Sequence, residues 1–461
     1  MLSSYQEVSL VFKLDYFSGG VYPNPNKNTL FYPTKRLNQF PVVRIPMSMH
    51  IGPPCSCIVK KGDQVLVGQM IGEPTKEPSV PVHSSVSGTV RSVHKEVASS
   101  GRSVVVAEIE SDGHFTFHPD VKPPVIHNRN EFIRALRDSG LVGLGGLGYP
   151  TYAKLQPKEG RKFDTLVVNA ADSEPYITAD FRQCVDHPDE IIDGIRAVMR
   201  YLDIPVARIG VEKNKPQAAD VLLYELEKVK HTAGAHTSIY LDRLPLIYPQ
   251  GAEKMLVYSL TGRKIPSGGE SGDVNVLVLN VSTVRFISKY LKTGIPLIRR
   301  RLTLDGSALR TPCNVNVPIG APIPDVISAA GGILDEEKDS VKIILGGSMM
   351  GVALDRADAS VIKYYRALLV FGKKEAEVPP EAVCIRCARC LKACPMKLVP
   401  ATLDKMARHK DIEGLEQYHV RDCIECGCCA YVCPAKRYLV QSIRNGKTHI
   451  KQARIKEETR Q

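Results

Sequence analysis

The sequence predicts a multidomain chain: a central α/β domain with smaller β and α units attached. Three observations predict it. The chain has 461 residues, more than one hydrophobic core usually serves, so about three or four domains are expected. Helix and strand patterns alternate between residues 125 and 270, as they do in α/β folds. Nine of the 13 cysteines crowd between Cys384 and Cys433, around a helical stretch at Ala401–Arg408.

The apolar share of 43% is ordinary for a globular protein. No apolar run approaches the roughly 20 residues of a membrane helix. Val276–Val281 and Lys342–Leu345 look like buried strands instead. The opening MLSSYQEVSLVFKLDYF lacks the basic start and small-residue cleavage site of a signal peptide. The chain is therefore expected inside the cell, with any membrane contact peripheral. Formal net charge is +12, with basic residues gathered at Arg299–Arg301 and from Lys436 to Arg460. Such an excess suits nucleic acid, anionic lipid or an acidic protein. No aromatic-studded basic stripe accompanies it, so nucleic acid is not expected. An acidic electron carrier or a lipid headgroup surface fits better.

Taken in order, residues 1–120 hold an N-terminal extension and short strands broken by turns. Two halves recur there, from Val59 to Gln69 and from Pro81 to Val90, with Gly62-Asp63 and Ser87-Gly88 as expected hairpin turns. This pattern resembles a biotinyl/lipoyl-type β-sandwich. Lys76 lies where carrier versions bear their cofactor, but its flanks Thr75 and Glu77 are not those of a carrier, so the unit is read as structural. Residues 121–297 form the α/β domain. Asn130 is expected to cap a helix ending near Ser139, with Gly140 as its stop. Strands follow at Thr165–Asn169 and Ala207–Val211, and helices at Asp189–Leu202 and Gln217–Val229. Residues 298–378 read as a β-grasp unit and connecting segment. Pro379-Pro380 marks a linker into the cysteine-rich unit, 379–440, and a basic tail, 441–461, ends the chain.

The cysteines form two runs, Cys384-x2-Cys387-x2-Cys390-x3-Cys394-Pro395 and Cys423-x2-Cys426-x2-Cys429-x3-Cys433-Pro434. A cubane iron–sulfur cluster needs four thiolates around one small volume. Three closely spaced cysteines wrap one corner, and in two-cluster ferredoxins the fourth ligates the other cluster. Cys384, Cys387, Cys390 and Cys433 are therefore assigned to one [4Fe–4S] cluster, and Cys394, Cys423, Cys426 and Cys429 to a second. Structural zinc more often uses two separated pairs. Cys428 is left as a packing residue. The 28 residues between the runs favour an all-helical dicluster ferredoxin domain over a small βαβ ferredoxin.

A glycine-rich stretch, Gly143-Leu144-Gly145-Gly146-Leu147-Gly148-Tyr149-Pro150-Thr151, is the second signal. It contains G-x-G-x-x-G, but a helix precedes it and a strand follows, the reverse of the dinucleotide-binding context. With Lys154, Asn169-Ala170-Ala171-Asp172-Ser173-Glu174-Pro175, Tyr248–Glu253 and Asn280–Thr283, it resembles the flavin-bearing, NADH-oxidising subunit of respiratory complex I. The order of domains resembles the C subunits of Rnf-type ion-translocating oxidoreductases. Gly19–Pro23, Glu212–Pro216 and Leu345–Gly351 are similar to that family too. The resemblance implies an FMN site at Gly143, Gly145, Gly146 and Gly148, with Lys154 offsetting phosphate charge. Asn169, Glu253, Asn280 and Thr283 would complete it. Tyr149 and Glu174 would meet NAD(H). Two departures stand out: Rnf subunits usually read Glu-Cys-Glu-Pro-Tyr where this chain has Asp172-Ser173-Glu174-Pro175-Tyr176, and no second aromatic follows Lys154.

The resemblance implies a subunit of an ion-translocating oxidoreductase, peripheral on the cytoplasmic face of the cell membrane. It would exchange electrons between NAD(H), FMN and two [4Fe–4S] clusters. Its partners would be integral membrane and other subunits of the complex, with ferredoxin or another carrier as a further candidate. A relay and docking module that makes no use of NAD(H), and a soluble flavin/iron–sulfur reductase, are the alternatives. The tail, with eight Lys/Arg between Lys436 and Arg460 and an apolar face at Tyr438, Leu439, Val440 and Ile443, is expected to lie on a membrane surface or an acidic partner.

Overall fold

The computed structural model describes residues 17–97, 101, 103–230, 238–337, 341–355 and 358–458. The N-terminal unit is two small antiparallel sheets. One orders the strands Val42–Pro46, Ser103–Ser111, Gly88–Val97 and Gln64–Val65; the other orders Ser56–Cys57, Met70–Glu73 and Val82–His83. Gly62 does sit in a turn, its neighbour Asp63 donating its N–H to the Lys60 carbonyl. Ser87-Gly88 is not a hairpin turn. Gly88 begins a ten-residue strand, and a Cβ there would lie 1.9 Å from the Glu110 carbonyl oxygen. Close approach of two backbones, not chain reversal, is what requires glycine at this point. Lys76 is exposed on the loop between Met70–Glu73 and Val82–His83.

The α/β domain is a four-stranded parallel sheet. Its order is Ser238–Leu244, Val206–Glu212, Thr165–Ala170, Val276–Asn280. The first strand in the chain therefore lies between the second and the fourth. Helices cover both faces, so two of the strands are near-continuous apolar runs: Thr165–Val168 and Val276–Leu279 are buried throughout. The first helix, Arg129–Asp138, is capped by Asn128 rather than Asn130. The Asn128 side chain accepts the Glu131 N–H, and Glu131 reaches back to the His127 N–H. Helices Pro188–Leu202 and Val281–Thr293 cross so closely that a Cβ on Gly194 would lie 1.9 Å from the Val284 carbonyl oxygen.

The β-grasp unit is a six-stranded mixed sheet centred on Arg299–Asp305 and Ala367–Phe371, with the helix Ile323–Ala329 beside it. Its basic run is not a surface. Arg300 and Arg301 are buried; Arg300 donates to the carbonyls of Tyr365 and Leu144, and Arg301 pairs with Asp186 at 2.9 Å. The charge expected to meet a partner thus joins the unit to the α/β domain.

The cysteine-rich unit is all-helical. Short helices Arg389–Ala393 and Cys428–Tyr431 open the two halves, and Pro400–His409 and Ile412–Gln417 lie between them. The segment expected as a basic tail is a helix, Leu439–Glu458. Its Leu439, Ile443 and Ile450 are buried, the latter two in a core with Leu403, Ala407, Leu415 and Val420. Of the apolar face expected to meet a membrane, Leu439 and Ile443 are turned inward, while Tyr438 stays exposed. Lys447 and Arg444 are matched by Glu425.

This unit is seated on the α/β domain. The Tyr248 hydroxyl donates to the Cys426 carbonyl at 2.8 Å, and Lys254 pairs with Asp422 at 3.3 Å. A strand-like contact between Val21 and Tyr248 and the bond from Gly20 N–H to the Ala393 carbonyl, 2.9 Å, insert the N-terminal segment into the same seam.

The Gly194 contact yields a stability prediction. Gly194→Val forces the two helices apart, an overpacking cost of about 2 kcal/mol or more. Chemical denaturation should show the first unfolding transition shifted to lower denaturant. An unshifted curve would mean that the crossing is looser than the Cβ geometry requires.

Candidate functional site

In an open parallel sheet, ligands bind beyond the carboxyl ends of the strands, where the strand order reverses. Here that point lies between Thr165–Ala170 and Val276–Asn280, and their ends carry Asn169 and Asn280. Asn280 also caps the helix Val281–Thr293, accepting the Ser282 N–H at 2.9 Å. Its amide donates to Asp180 at 2.7 Å. Asn169 donates to the Gly251 carbonyl at 2.8 Å.

The glycine loop hangs over this point. Thr283 Oγ1 accepts the Leu144 N–H at 3.1 Å, while Arg300 holds the Leu144 carbonyl at 2.9 Å. Gly146 and Gly148 have φ of +114° and +71°, where a side chain is strained, and a Cβ on Gly145 would lie 3.2 Å from Asn280 Cβ. Among the described residues the N–H groups of Gly145, Gly146 and Leu147 have no hydrogen-bond acceptor. Free amides on a Cβ-poor loop beside a helix N-terminus make a cradle for an anion. Tyr149 is exposed at the rim. Lys154 and Glu253 pair with each other at 2.5 Å. Burial pushes the Glu253 carboxyl up, but the Lys154 charge and bonds from Ser271 outweigh it and hold it below the usual range.

Beneath the loop is a buried network that the sequence reading did not include. Arg366, from the β-grasp unit, donates to Asp172 at 2.6 Å and to Asp180 at 2.7 Å. Its Nε is buried with no partner. Lys27 Nζ takes the carbonyls of Asp172, Glu174 and Ile177 at 2.6–2.7 Å, and burial draws its amine down to about 8. Arg366 carries no local motif, and Lys27 is 145 residues from Asp172. Only the tertiary fold brings them to the site. Glu174 is buried, accepting the N–H groups of Met349 and Met350 at 3.2 and 3.1 Å. Burial pushes its carboxyl up to about 7.

The eight motif cysteines fall into two sets. Cys384, Cys387, Cys390 and Cys433 line one cavity; Cys394, Cys423, Cys426 and Cys429 line another. Left-handed backbone recurs at matching places, at Arg386 and Ala388 in one run and at Glu425 and Gly427 in the other. It repeats at Lys397 and Lys436, each three residues past the last cysteine of its run. The Glu425 N–H points to Cys423 Sγ at 3.4 Å. Among the described residues no three His, Cys, Asp or Glu side chains gather closely enough for a single metal ion. A donor set of four thiols around a volume, with a backbone amide turned to sulfur, fits a cluster. The inner cavity is walled by Ile424, Val440 and Ile443, and Cys426 and Cys429 are buried; Cys384 and Cys387 of the outer cavity are exposed. Cys428 is fully buried against the Tyr248 carbonyl, 3.7 Å away, in the packing role expected of it.

Four parts of the chain match known protein families. Residues 136–289 match the Nuo51 FMN-binding domain, 15–114 the RnfC barrel sandwich hybrid domain, 301–353 the SLBB domain and 383–436 the 4Fe-4S dicluster domain. The chain is 38% identical over 438 residues to the C subunit of the Na(+)-translocating ferredoxin:NAD(+) oxidoreductase complex of Acetobacterium woodii, covering 94% of this chain and 97% of that one. It is 37% identical to the proton-translocating counterpart of Clostridium ljungdahlii, over 97% and 96% of the two chains. It is 36% identical to the C subunit of the ion-translocating oxidoreductase complex of Edwardsiella ictaluri, over 88% of this chain but 50% of that one. Among solved structures, a chain of an NAD+-reducing [NiFe]-hydrogenase shares the fold, with TM-score 0.51 and 16% identity over 72% of this chain and 63% of that one.

The raised Glu174 carboxyl predicts a pH signature. A carboxyl shifted from 4.5 to about 7 on folding adds stability below pH 4.5, and that contribution is lost as pH rises through 7. Wild type should lose on the order of 3 kcal/mol relative to Glu174→Gln between pH 4.5 and 8. Urea unfolding of both proteins at several pH values measures it. A pH-independent difference would show that Glu174 is not held protonated by burial.

Proposed function

Because the chain belongs to the family of C subunits of ion-translocating oxidoreductase (Rnf-type) complexes, we propose that it is the peripheral subunit exchanging electrons between NAD(H), a bound FMN and two [4Fe–4S] clusters. FMN, when bound, turns the two-electron chemistry of a hydride into single-electron steps, and the clusters carry single electrons. No helix among the described residues is long and apolar enough to cross a membrane. In this reading, contact with the membrane is made through the other subunits, and we assign it to the cytoplasmic face.

The chain's own residues divide the work. Gly143, Gly145, Gly146 and Gly148 would let the backbone close on an FMN phosphate. The free amides of the loop are its donors, and the Val281–Thr293 helix N-terminus adds positive potential. Asn169, Asn280 and Thr283 would orient a flavin, and the Lys154–Glu253 pair would border it. Tyr149 at the rim and Glu174 below it are assigned to the nicotinamide. Cys384, Cys387, Cys390 and Cys433 hold the outer cluster; Cys394, Cys423, Cys426 and Cys429 hold the inner one.

The observation that carries this reading is the seam at Tyr248. Its hydroxyl bonds the Cys426 backbone and its carbonyl meets Cys428, while Met349 O lies 2.8 Å from where a Gly427 Cβ would sit. Met349 and Met350 in turn bond Glu174. The inner thiol set is thus in contact with the flavin-type domain, and the outer set faces solvent. That order would suit electron exchange between a flavin held by the first domain and clusters held by the two thiol sets, the inner set lying nearer the flavin-type domain. A second reading, a relay that makes no use of NAD(H), is favoured by one observation: both Glu174 carboxylate oxygens are already engaged by Met349 and Met350.

Anaerobic iron and sulfide analysis should find about eight of each per chain. Cys433→Ala should lower iron to about four and perturb the cluster held by Cys384, Cys387 and Cys390. Unchanged iron, or stoichiometric zinc, would end the assignment. Stopped-flow addition of NADH to the flavin-loaded protein should bleach flavin absorbance. An intact protein that does not bleach would favour the relay. Replacing both Gly145 and Gly146 by Val should empty the flavin site, whereas full flavin in that variant would reduce the loop to a turn.

A further inference from the structure

The glycine loop is gripped from beneath by a different unit of the chain. Two arginines reach it from the β-grasp sheet. Arg300, in the strand Arg299–Asp305, donates to the Leu144 carbonyl at 2.9 Å. Arg366, just before the strand Ala367–Phe371, donates to the Gly145 carbonyl over a longer 3.4 Å. A trans peptide points its C=O and its N–H in opposite directions. Drawing the Leu144 carbonyl towards Arg300 therefore turns the Gly145 N–H away from it. Drawing the Gly145 carbonyl towards Arg366 does the same for the Gly146 N–H. These are two of the three loop amides that have no acceptor among the described residues. Thr283 fixes the peptide before them, accepting the Leu144 N–H at 3.1 Å.

The charges point the same way. Arg300 is 4% exposed, its bonds go to the carbonyls of Leu144 and Tyr365, and it forms no ion pair among the described residues. A buried guanidinium held only by carbonyls is costly unless an anion comes near it. Arg366 has the complementary task. It bonds Asp172 at 2.6 Å and Asp180 at 2.7 Å, so that these carboxylates repel a negative ligand above them less. Its Cδ lies 3.6 Å from where a Gly146 Cβ would sit, so the arginine is packed directly against the loop. We propose that Arg300 and Arg366 are positioning residues for the flavin phosphate: the β-grasp unit aims the loop amides at the phosphate and supplies the positive field that holds it. The site then prefers a phosphorylated flavin over the same flavin without its phosphate, and neither arginine has to touch the ring. The proposal rests on the reading of Gly143–Gly148 as the FMN cradle.

The test titrates FMN, and riboflavin as the flavin without phosphate, into full-length protein freed of flavin with both clusters in place. Flavin fluorescence reports binding. Wild type should bind FMN more tightly than riboflavin. Arg366→Met and Arg300→Met should each weaken FMN by about tenfold or more, the scale of a lost charge-assisted hydrogen bond, and leave riboflavin unchanged. Arg366→Lys, which keeps the charge, should recover much of the preference for FMN. Iron content and the unfolding curve show whether a variant is folded. Should either Met variant fail to fold, R366Q/D172N, which removes one charge of each sign, carries the test and should also lose the preference. An unchanged FMN-to-riboflavin ratio in the folded variants overturns the proposal, whether both affinities hold or both fall together, because an arginine that only supports the fold does not distinguish the two flavins. Wild type that binds both flavins equally overturns it too. Wild type that binds neither sinks the FMN site itself, and with it the reading on which the proposal rests.

Discussion

The architecture depends on one largely enclosed cation. Arg366 leaves the β-grasp sheet and divides its guanidinium between Asp172 and Asp180 of the α/β domain. Asp180 then fixes Asn280 and Ser282, at the start of the helix under the glycine loop. Lys27, from the N-terminal segment, clamps the carbonyls on the other side of Asp172. Three separate parts of the chain thus meet at one charge cluster with little access to water. A buried pair is weak evidence of net stability, but removing one partner is severe, about 3–5 kcal/mol, because the other charge is left unpaired. The network therefore acts as a register: the loop, the switch point of the sheet and the β-grasp can assemble in only one relative position. Asp172 takes its place in this light. It departs from the Rnf pattern at a residue whose carboxylate faces the Arg366 guanidinium.

From this junction the structure is graded outward. The Glu174 carboxylate touches Met349 and Met350, those residues touch the Cys426–Cys428 turn, and the turn borders the inner thiols. The two N–H bonds to Glu174 are 3.1–3.2 Å long, and beyond them the Met349 and Met350 side chains pack with Tyr248, Cys426 and Cys428. Gly19, Gly20 and Val21 make the seam possible. A Cβ on Gly19 would lie 2.7 Å from the Cys394 carbonyl oxygen, so the strap lies flush on the backbone of the cysteine loop. The helix Leu439–Glu458 closes the other side. Val440 and Ile443 line the inner cavity, and this explains why a segment rich in Lys and Arg turns its apolar face into the molecule.

Much of this was legible locally. The paired C-x2-C-x2-C-x3-C-P runs determined which thiols share a cavity, because ligand spacing is a property of a few consecutive residues and the left-handed turns between them repeat. The strands Thr165–Ala170 and Val276–Asn280 were legible as apolar runs, since a doubly covered parallel strand has no polar face to disguise it. The glycine loop announced itself by composition, and the domain order by resemblance. What only the tertiary structure decided is everything that depends on partners distant in the chain. Asn128, not Asn130, caps the first helix, because the cap is set by where the backbone leaves the helical region. Gly88 serves close strand approach, which needs Glu110 to be known. Arg299–Arg301 and the tail counted as basic surface by charge alone; Asp186 and the carbonyls of Leu144 and Tyr365 turn Arg300 and Arg301 inward, and a core of Leu403 and Leu415 takes the tail's apolar residues, while its Lys451, Arg454 and Lys456 stay exposed. Charge and periodicity say what a segment can offer; burial against a distant partner decides which side of it meets water, and that information is not local to any stretch of the sequence.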